Sequence, residues 1–346
     1  MESQMYRLEL RGALHLGVRG LAREGTEVYI PSDTLMAALM VAWARQGLAL
    51  DTLAGELMEP EPALTVSSAF PYGGEVRFYP HPLLRHRWTD GAGGAALGRA
   101  RWVSEGLFQR LAGHQPLAAQ ETALVQDNEL WLTREEMARL PRRTLDPEGV
   151  ARLWKRETRP RVTLDRASSA SQVYQVGRAN YAAGCGLWFA ARAGSPIWRE
   201  RLEAALSDLA DSGLGGLRSI GHGAYRWSRS EAGTLPAPPG GEEYLLTLSR
   251  YAPGESESEA LLAPRALYRL AEVGGWAAGE AGDRRRRSVR LVAEGSLLRG
   301  PIRGSLVDVT PAINDLGHPV WRWGLAFGVA VNQEAVPGEG EGITYG

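Results

Sequence analysis

From Met5 the chain alternates apolar and polar side chains, MYRLELRGALHLG, and this period of two predicts a half-buried strand running to about Leu16. The period then lengthens. In PSDTLMAALMVAWARQG, Leu35, Leu39, Ala42 and Trp43 form one helical stripe, entered through Pro31, Ser32 and Asp33 and stopped by Gly47. The stretch TVSSAFPYGGEVRFYPHP, from Thr65, reads as a strand interrupted by a turn at Gly73 and Gly74. Residues from about 80 to 155 hold the glycine-rich TDGAGGAALG and several short apolar pieces, and read as an insertion. From Arg161, RVTLDRASSASQVYQVGRANYAAGCGLWFAAR reads as two strands joined by a polar, serine-rich projection. Ser195 and Pro196 then occupy the cap and first turn of a helix with the apolar face Trp198, Leu202, Ala205, Leu206 and Leu209. It ends at Gly213, and AYRWSR returns as a strand.

Strand, helix, strand, strand, helix, loop, strand is the order of a ferredoxin-like split βαβ unit, two helices on one face of an antiparallel sheet. SEAGTLPAPPGGEE breaks all periodicity and marks a linker, so a second unit is expected to begin near Tyr244. Beyond it, YLLTLSRYAPG, ALYRLAEVGGW, RRSVRLVAEGSLLRG and HPVWRWGLAFGVAV are strand-like, with a short helix around Glu257 to Leu262. The expectation is an α+β protein. Residues 1–230 form a ferredoxin-like domain with the insertion at about 80–155 and a hairpin at about 161–190, and residues 244–346 form a degenerate second one.

A length of 346 residues allows two such domains, and 44% hydrophobic with 23% charged residues is ordinary for a globular chain. No apolar run reaches the roughly 18 to 20 residues of a membrane span, and MESQMYRLELRGALHLG lacks the layout of a secretory leader, so a cytoplasmic protein is expected. A lone cysteine, Cys185, sits in the apolar YAAGCGLWFA and reads as a buried structural thiol. The net charge of −1 argues against diffuse attraction to nucleic acid. Charge is nevertheless sorted: Arg139 to Arg166 holds nine basic residues against four acidic. Lys155 is the single lysine, so the cations are guanidinium groups, whose planar fork binds phosphate bidentately and stacks on bases.

The most unusual stretch is DSGLGGLRSIGHGAYRW, where Gly213, Gly215, Gly216, Gly221 and Gly223 surround Arg218, Ser219 and His222. A phosphate-binding P-loop needs a lysine and a following helix, and a dinucleotide fingerprint needs a strand before its glycines; here helix precedes and strand follows. Two readings stay open: a loop that lets a sugar-phosphate chain lie against backbone N–H groups, or a tight connection in which glycine supplies positive φ.

GLGGLRSIGHGAYRW after an amphipathic helix resembles the glycine-rich loop of the RAMP superfamily, RNA-binding proteins of CRISPR effector complexes. LHLGVRG, PSDTLMAAL, SSAFPY, RVTLDRAS, LSRYAP, VRLVAEGSLLRG, DVTP and HPVWRWGLAFGV follow in the order of the fourth-subunit family of type III-A Csm complexes, and the likeness spans nearly the whole chain. The resemblance implies two fused ferredoxin-like domains and no catalysis. It implies three partners: the 5′ handle of CRISPR RNA, the large polymerase-cyclase subunit and the repeated backbone RAMP subunit. No cofactor, metal or membrane is implied.

In that frame Gly215, Gly216, Arg218, Ser219, Gly221 and His222 would line the handle's path. His15, at the end of the first strand, is a candidate for RNA contact, for a structural role, or for general base in a metal-independent repeat-processing endoribonuclease, the alternative function. Ser32 is a candidate for both capping and phosphate contact at its helix N-terminus, while Asp33 reads as a cap. The projection from Arg166 through Ser168, Ser169, Gln172 and Tyr174 resembles the RAMP thumb hairpin that displaces a base. Arg250 and Tyr251, in SRYAP, match the family pattern and are candidates to face the handle. DRRRRSVR is either a solvated turn or an RNA-facing patch. Trp321, Arg322 and Trp323 read as domain-interface packing, and His81 and His86 have no metal-ligand spacing.

Overall fold

In the computed structural model, residues 2–17, 25–89, 97–144, 151–164, 171–230, 235, 241, 243–277, 284–311 and 318–339 are described. The first half is built on β1 (Ser3–Leu10), α1 (Ser32–Arg45), β2 (Phe70–Gly73), β3 (Cys185–Ala193), α2 (Pro196–Ser212) and β4 (Tyr225–Ser230). Across the sheet these run β4-β1-β3-β2, each strand antiparallel to its neighbour, which is the split βαβ order expected from the sequence. The expected stripe of α2, Trp198, Leu202, Ala205, Leu206 and Leu209, is buried in full. Ser195 caps that helix by accepting from the Trp198 N–H at 3.4 Å, and Pro196 follows in the first turn, where no N–H is needed. The helices meet where Trp43 and Trp198 pack edge to face, ring centroids 5.5 Å apart.

Three boundaries differ from expectation, each for a physical reason. β1 ends at Leu10, and the residues after it leave the sheet to pair elsewhere, Leu14 with Ala179 and Gly17 with Thr26. The region of about 80–155 is no appendage. Strands Trp102–Ser104, Leu130–Thr133 and Thr122–Val125 widen the main sheet beyond Val76–Pro80, which pairs with β2. They are short, and Val76–Pro80 and Trp102–Ser104 are buried at every position, so neither shows the alternation by which a strand is read. The projecting hairpin comprises Trp154–Leu164 and Ser171–Tyr181, whereas residues 185–193 belong to the central sheet as β3.

The second half has its own three-stranded sheet, β5 (Tyr244–Thr247) between β6 (Leu297–Arg299) and β7 (Gly328–Ala330), with the five-residue helix α3 (Ser258–Leu262). The two sheets share one core. Leu246, Leu248 and Phe327 belong to the same buried cluster as Trp43, Phe70 and Trp188. The Ser68 N–H donates to the Leu248 carbonyl at 2.9 Å, and Arg192, its guanidinium 4.0 Å from the Phe327 ring centre, donates to the Gly328 carbonyl. Cys185 lies inside, where burial pushes its thiol up to about 12. Among the described residues no helix is long and apolar enough to cross a membrane.

Candidate nucleic-acid interface

At Gly213, φ +80°, α2 stops and the glycine loop turns back on its own start: the Leu214 N–H donates to Gly223 at 3.0 Å. It also grips the segment that follows β1, with Gly216 N–H on the His15 carbonyl at 2.8 Å and Gly223 N–H on that of Ala13 at 2.9 Å. Three glycines are required by this packing, the first being Gly213, where a Cβ would stand 2.4 Å from the His222 oxygen. A Cβ on Gly215, φ +89°, would stand 2.6 Å from the His15 oxygen, and one on Gly223, φ +74°, would stand 1.9 Å from the Leu214 oxygen. What approaches this backbone is therefore largely the chain itself, and the tight-connection reading accounts for Gly215, Gly216 and Gly223.

The rest of the loop faces outward. Leu217 adopts a left-handed conformation, φ 59°, rare for a branched residue, and opens the 3-10 turn Arg218–Ile220. Arg218, Ser219, Ile220 and Gly221 are exposed, and a side chain at Gly221 would meet nothing within 4 Å.

Beneath this turn lie two histidines. His15 is 8% exposed and its Nδ1 is 2.6 Å from the carbonyl oxygen of Gly177, in the projecting hairpin. His222 is 5% exposed; burial, then the neighbouring Arg161, His15 and Arg178, hold its pKa below the usual imidazole range, so it is neutral at pH 7. The arginines come from the hairpin register. Arg161 pairs with Tyr174 and Glu157 with Arg178, so alternation sets all four on one face. Glu157 accepts from Arg178 at 3.0 Å and from Arg159 at 3.4 Å. Arg161 and Arg218 form no ion pair among the described residues. The result is a surface where, among the described residues, the guanidinium groups of Arg161 and Arg218 have no ion pair, on hairpin and turn above the buried His15 and His222. Sequence reasoning missed Arg161 and Arg178; the signal was the basic alternation in RETRPRVTL, legible once the register is known.

Other expected residues fall elsewhere. Arg166, Ser168 and Ser169 lie outside the described residues. Ser32 is buried, its N–H donating to Ser68 Oγ at 2.8 Å and its Oγ accepting the Arg250 N–H at 2.9 Å, so its polar groups are spent inside the protein. Tyr251 is fully buried against Val292 and Leu298, with its hydroxyl donating to Glu257, because SRYAP threads between the halves. Arg250 faces inward to Asp33 and Glu294, both 3.7 Å away, and donates to the Tyr29 hydroxyl at 3.2 Å. With Arg101 and Arg269 it lines an open cavity apart from the glycine loop. Asp33 caps nothing: it is the buried counter-ion of Arg322, at 2.9 Å.

Set beside known proteins, residues 241–331 match a family model described as the CRISPR Csm4 C-terminal domain. A Mycobacterium tuberculosis (strain CDC 1551 / Oshkosh) protein named CRISPR system Cms protein Csm4 is 28% identical over 338 residues, 97% of this chain and 100% of that one. A protein of the same name from Thermococcus onnurineus (strain NA1) is 28% identical over 268 residues, 77% of this chain and 79% of its own. Among solved structures, one chain of a Csm3-Csm4 subcomplex in the type III-A CRISPR-Cas interference complex superposes with a TM-score of 0.64 at 13% identity, covering 96% of this chain and all of that one. One chain of a Csm1-Csm4 cassette in complex with cA4 gives 0.56 at 18%, covering 98% and 100%. At such identities the structures speak to fold. Residues 241–331 thus carry the match to the Csm4 C-terminal domain, and the chain as a whole is similar to Csm4 proteins along nearly its entire length.

Proposed function

We propose that this chain is a non-catalytic, RNA-binding subunit of a type III-A CRISPR interference complex. It anchors the 5′ handle of the CRISPR RNA on the glycine turn and the hairpin face, and joins the large subunit, Csm1, to the backbone subunit, Csm3. The partners rest on the full-length likeness to Csm4 proteins and on structures in which Csm4 accompanies Csm1 or Csm3. The RNA contact rests on one observation: among the described residues Arg161 and Arg218 have no carboxylate partner, and they stand on elements tied together through His15. A phosphate satisfies a guanidinium fork at both N–H groups, which makes such positions suited to an RNA backbone. With a net charge of −1 the isolated chain should hold RNA weakly, the grip becoming tight when neighbouring subunits enclose the handle.

The test is a titration of handle-bearing RNA into the complex assembled with wild-type or Arg161→Ala/Arg218→Ala protein. Each lost charge-assisted contact is expected to weaken binding roughly tenfold, and the slope of log affinity against log salt should shrink by about 0.7 per contact. Unchanged affinity and slope would defeat the assignment. The same samples in EDTA address the alternative raised by the adjacency of His15 and His222. Uncut RNA is expected, because both imidazoles are buried and His15 Nδ1 is bound at the Gly177 carbonyl. A 2′,3′-cyclic phosphate product abolished by His15→Ala would favour an endoribonuclease instead.

A further inference from the structure

The arginine run at 284–287 is absorbed by nothing above. It forms one side of a two-stranded ribbon: Leu270–Val273 pairs antiparallel with Val289–Val292, and beyond a bulge Trp276–Ala277 pairs with Arg284–Arg285. One face of the ribbon is buried, Val273 and Leu291 packing on Ala252. The rest is open. Trp276 is 63% exposed and stands directly across from Arg285, which is exposed and has no ion pair among the described residues. Arg286 donates from Nε to the Trp276 carbonyl at 2.8 Å, and Arg287 is tied to Asp308 at 2.9 Å, so the ring is carried on a braced backbone.

A large indole left in solvent costs hydrophobic free energy, so its place on the surface needs a partner. The charge around it selects the class. Five arginines, Arg284 to Arg287 and Arg290, crowd into seven residues, while among the described residues the carboxylates set against them are Glu272, paired in register with Arg290, and Asp308, taken by Arg287. In a chain of net charge −1 this is a local excess of cations beside an open π face, the two elements of a single-strand stacking platform. We propose that the ribbon binds an unpaired RNA strand, one base stacked on Trp276 and the adjoining phosphates at Arg285 and Arg290. This goes beyond the handle contact and does not depend on the glycine turn.

The test uses the full chain at low salt with a fluorescein-labelled 20-nucleotide oligouridylate, followed by anisotropy. Trp276→Ala should weaken binding about tenfold, Trp276→Phe should restore most of it, and Arg285→Glu should weaken binding and flatten the salt dependence. The exposed positions should leave the thermal melting curve unchanged. The effect should persist in the Arg161→Ala/Arg218→Ala background, so failure of the handle reading and failure of this one are separately visible. In the assembled complex, 4-thiouridine placed in guide or in target identifies the source of the strand; a crosslink near Trp276 from either supports the proposal. Oligouridylate affinity unchanged by Trp276→Ala would overturn it, as would loss of Csm1 or Csm3 from the variant complex with RNA binding intact, since the indole would then belong to a protein interface.

Discussion

Asp33→Ala is expected to destabilise the protein by about 3–5 kcal/mol, enough to leave a marginally stable domain largely unfolded. Asp33 is fully buried in the first turn of α1 and answers two guanidinium groups, Arg322 at 2.9 Å and Arg250 at 3.7 Å. Burial pulls the Arg250 guanidinium down, but Tyr29, Glu294 and Asp33 outweigh it and hold it above its ordinary value, so it stays charged. Removing Asp33 leaves Arg322 without a carboxylate in a site water does not reach, and the cost is that of an uncompensated buried charge. Replacing both partners, as Asp33→Leu with Arg322→Leu, should lose much less than Asp33→Ala alone. Urea denaturation of the three proteins checks this. A loss below about 1 kcal/mol for Asp33→Ala, or a double variant worse than the single, would show that charge compensation is not what the residue supplies.

Acidification should cost nearly as much. His81 and His86 stack with ring centroids 5.5 Å apart and pack on Trp131. Burial depresses both, His81 to about 4 and His86 to about 3. Their folded values lie below the unfolded value near 6.5, so the neutral forms favour folding. Stability is therefore present above about pH 6.5 and lost as pH falls toward the folded values, because the unfolded chain takes up protons that the folded one refuses. Between pH 7 and pH 5 each should give up about 2 kcal/mol, together about 4 kcal/mol. His222, depressed in the same sense, adds to the trend. Chemical denaturation across that range should show the decline, made shallower by His86→Phe. A flat or rising profile would contradict it.

How much of this was legible in the sequence follows from how far apart the interacting residues lie. Periodicity and capping are local, so α1, α2 with its Ser195–Pro196 start and Gly213 stop, and the β4 return could be read from neighbours alone. The strands of the 80–155 region could not, because segments of three or four residues buried on both faces carry no alternation. The site was half visible. The glycine loop announced itself by composition, yet its glycines mostly serve contacts with residues 13–15, some two hundred positions earlier. Arg161 and Arg178 depended on strand register, which fixes what faces His222. Asp33 and Arg322 are 289 residues apart, so a capping carboxylate and an interface arginine looked unrelated until the halves were joined.

The most direct measurement places 4-thiouridine at successive positions of the 5′ handle in the assembled complex, irradiates it, and maps the attached peptides by mass spectrometry. If the turn and hairpin hold the guide's first nucleotides, adducts should appear on this chain at residues 217–222 and on the strand carrying Arg161. Handle crosslinks confined to another subunit, with both segments unmodified, would contradict the account.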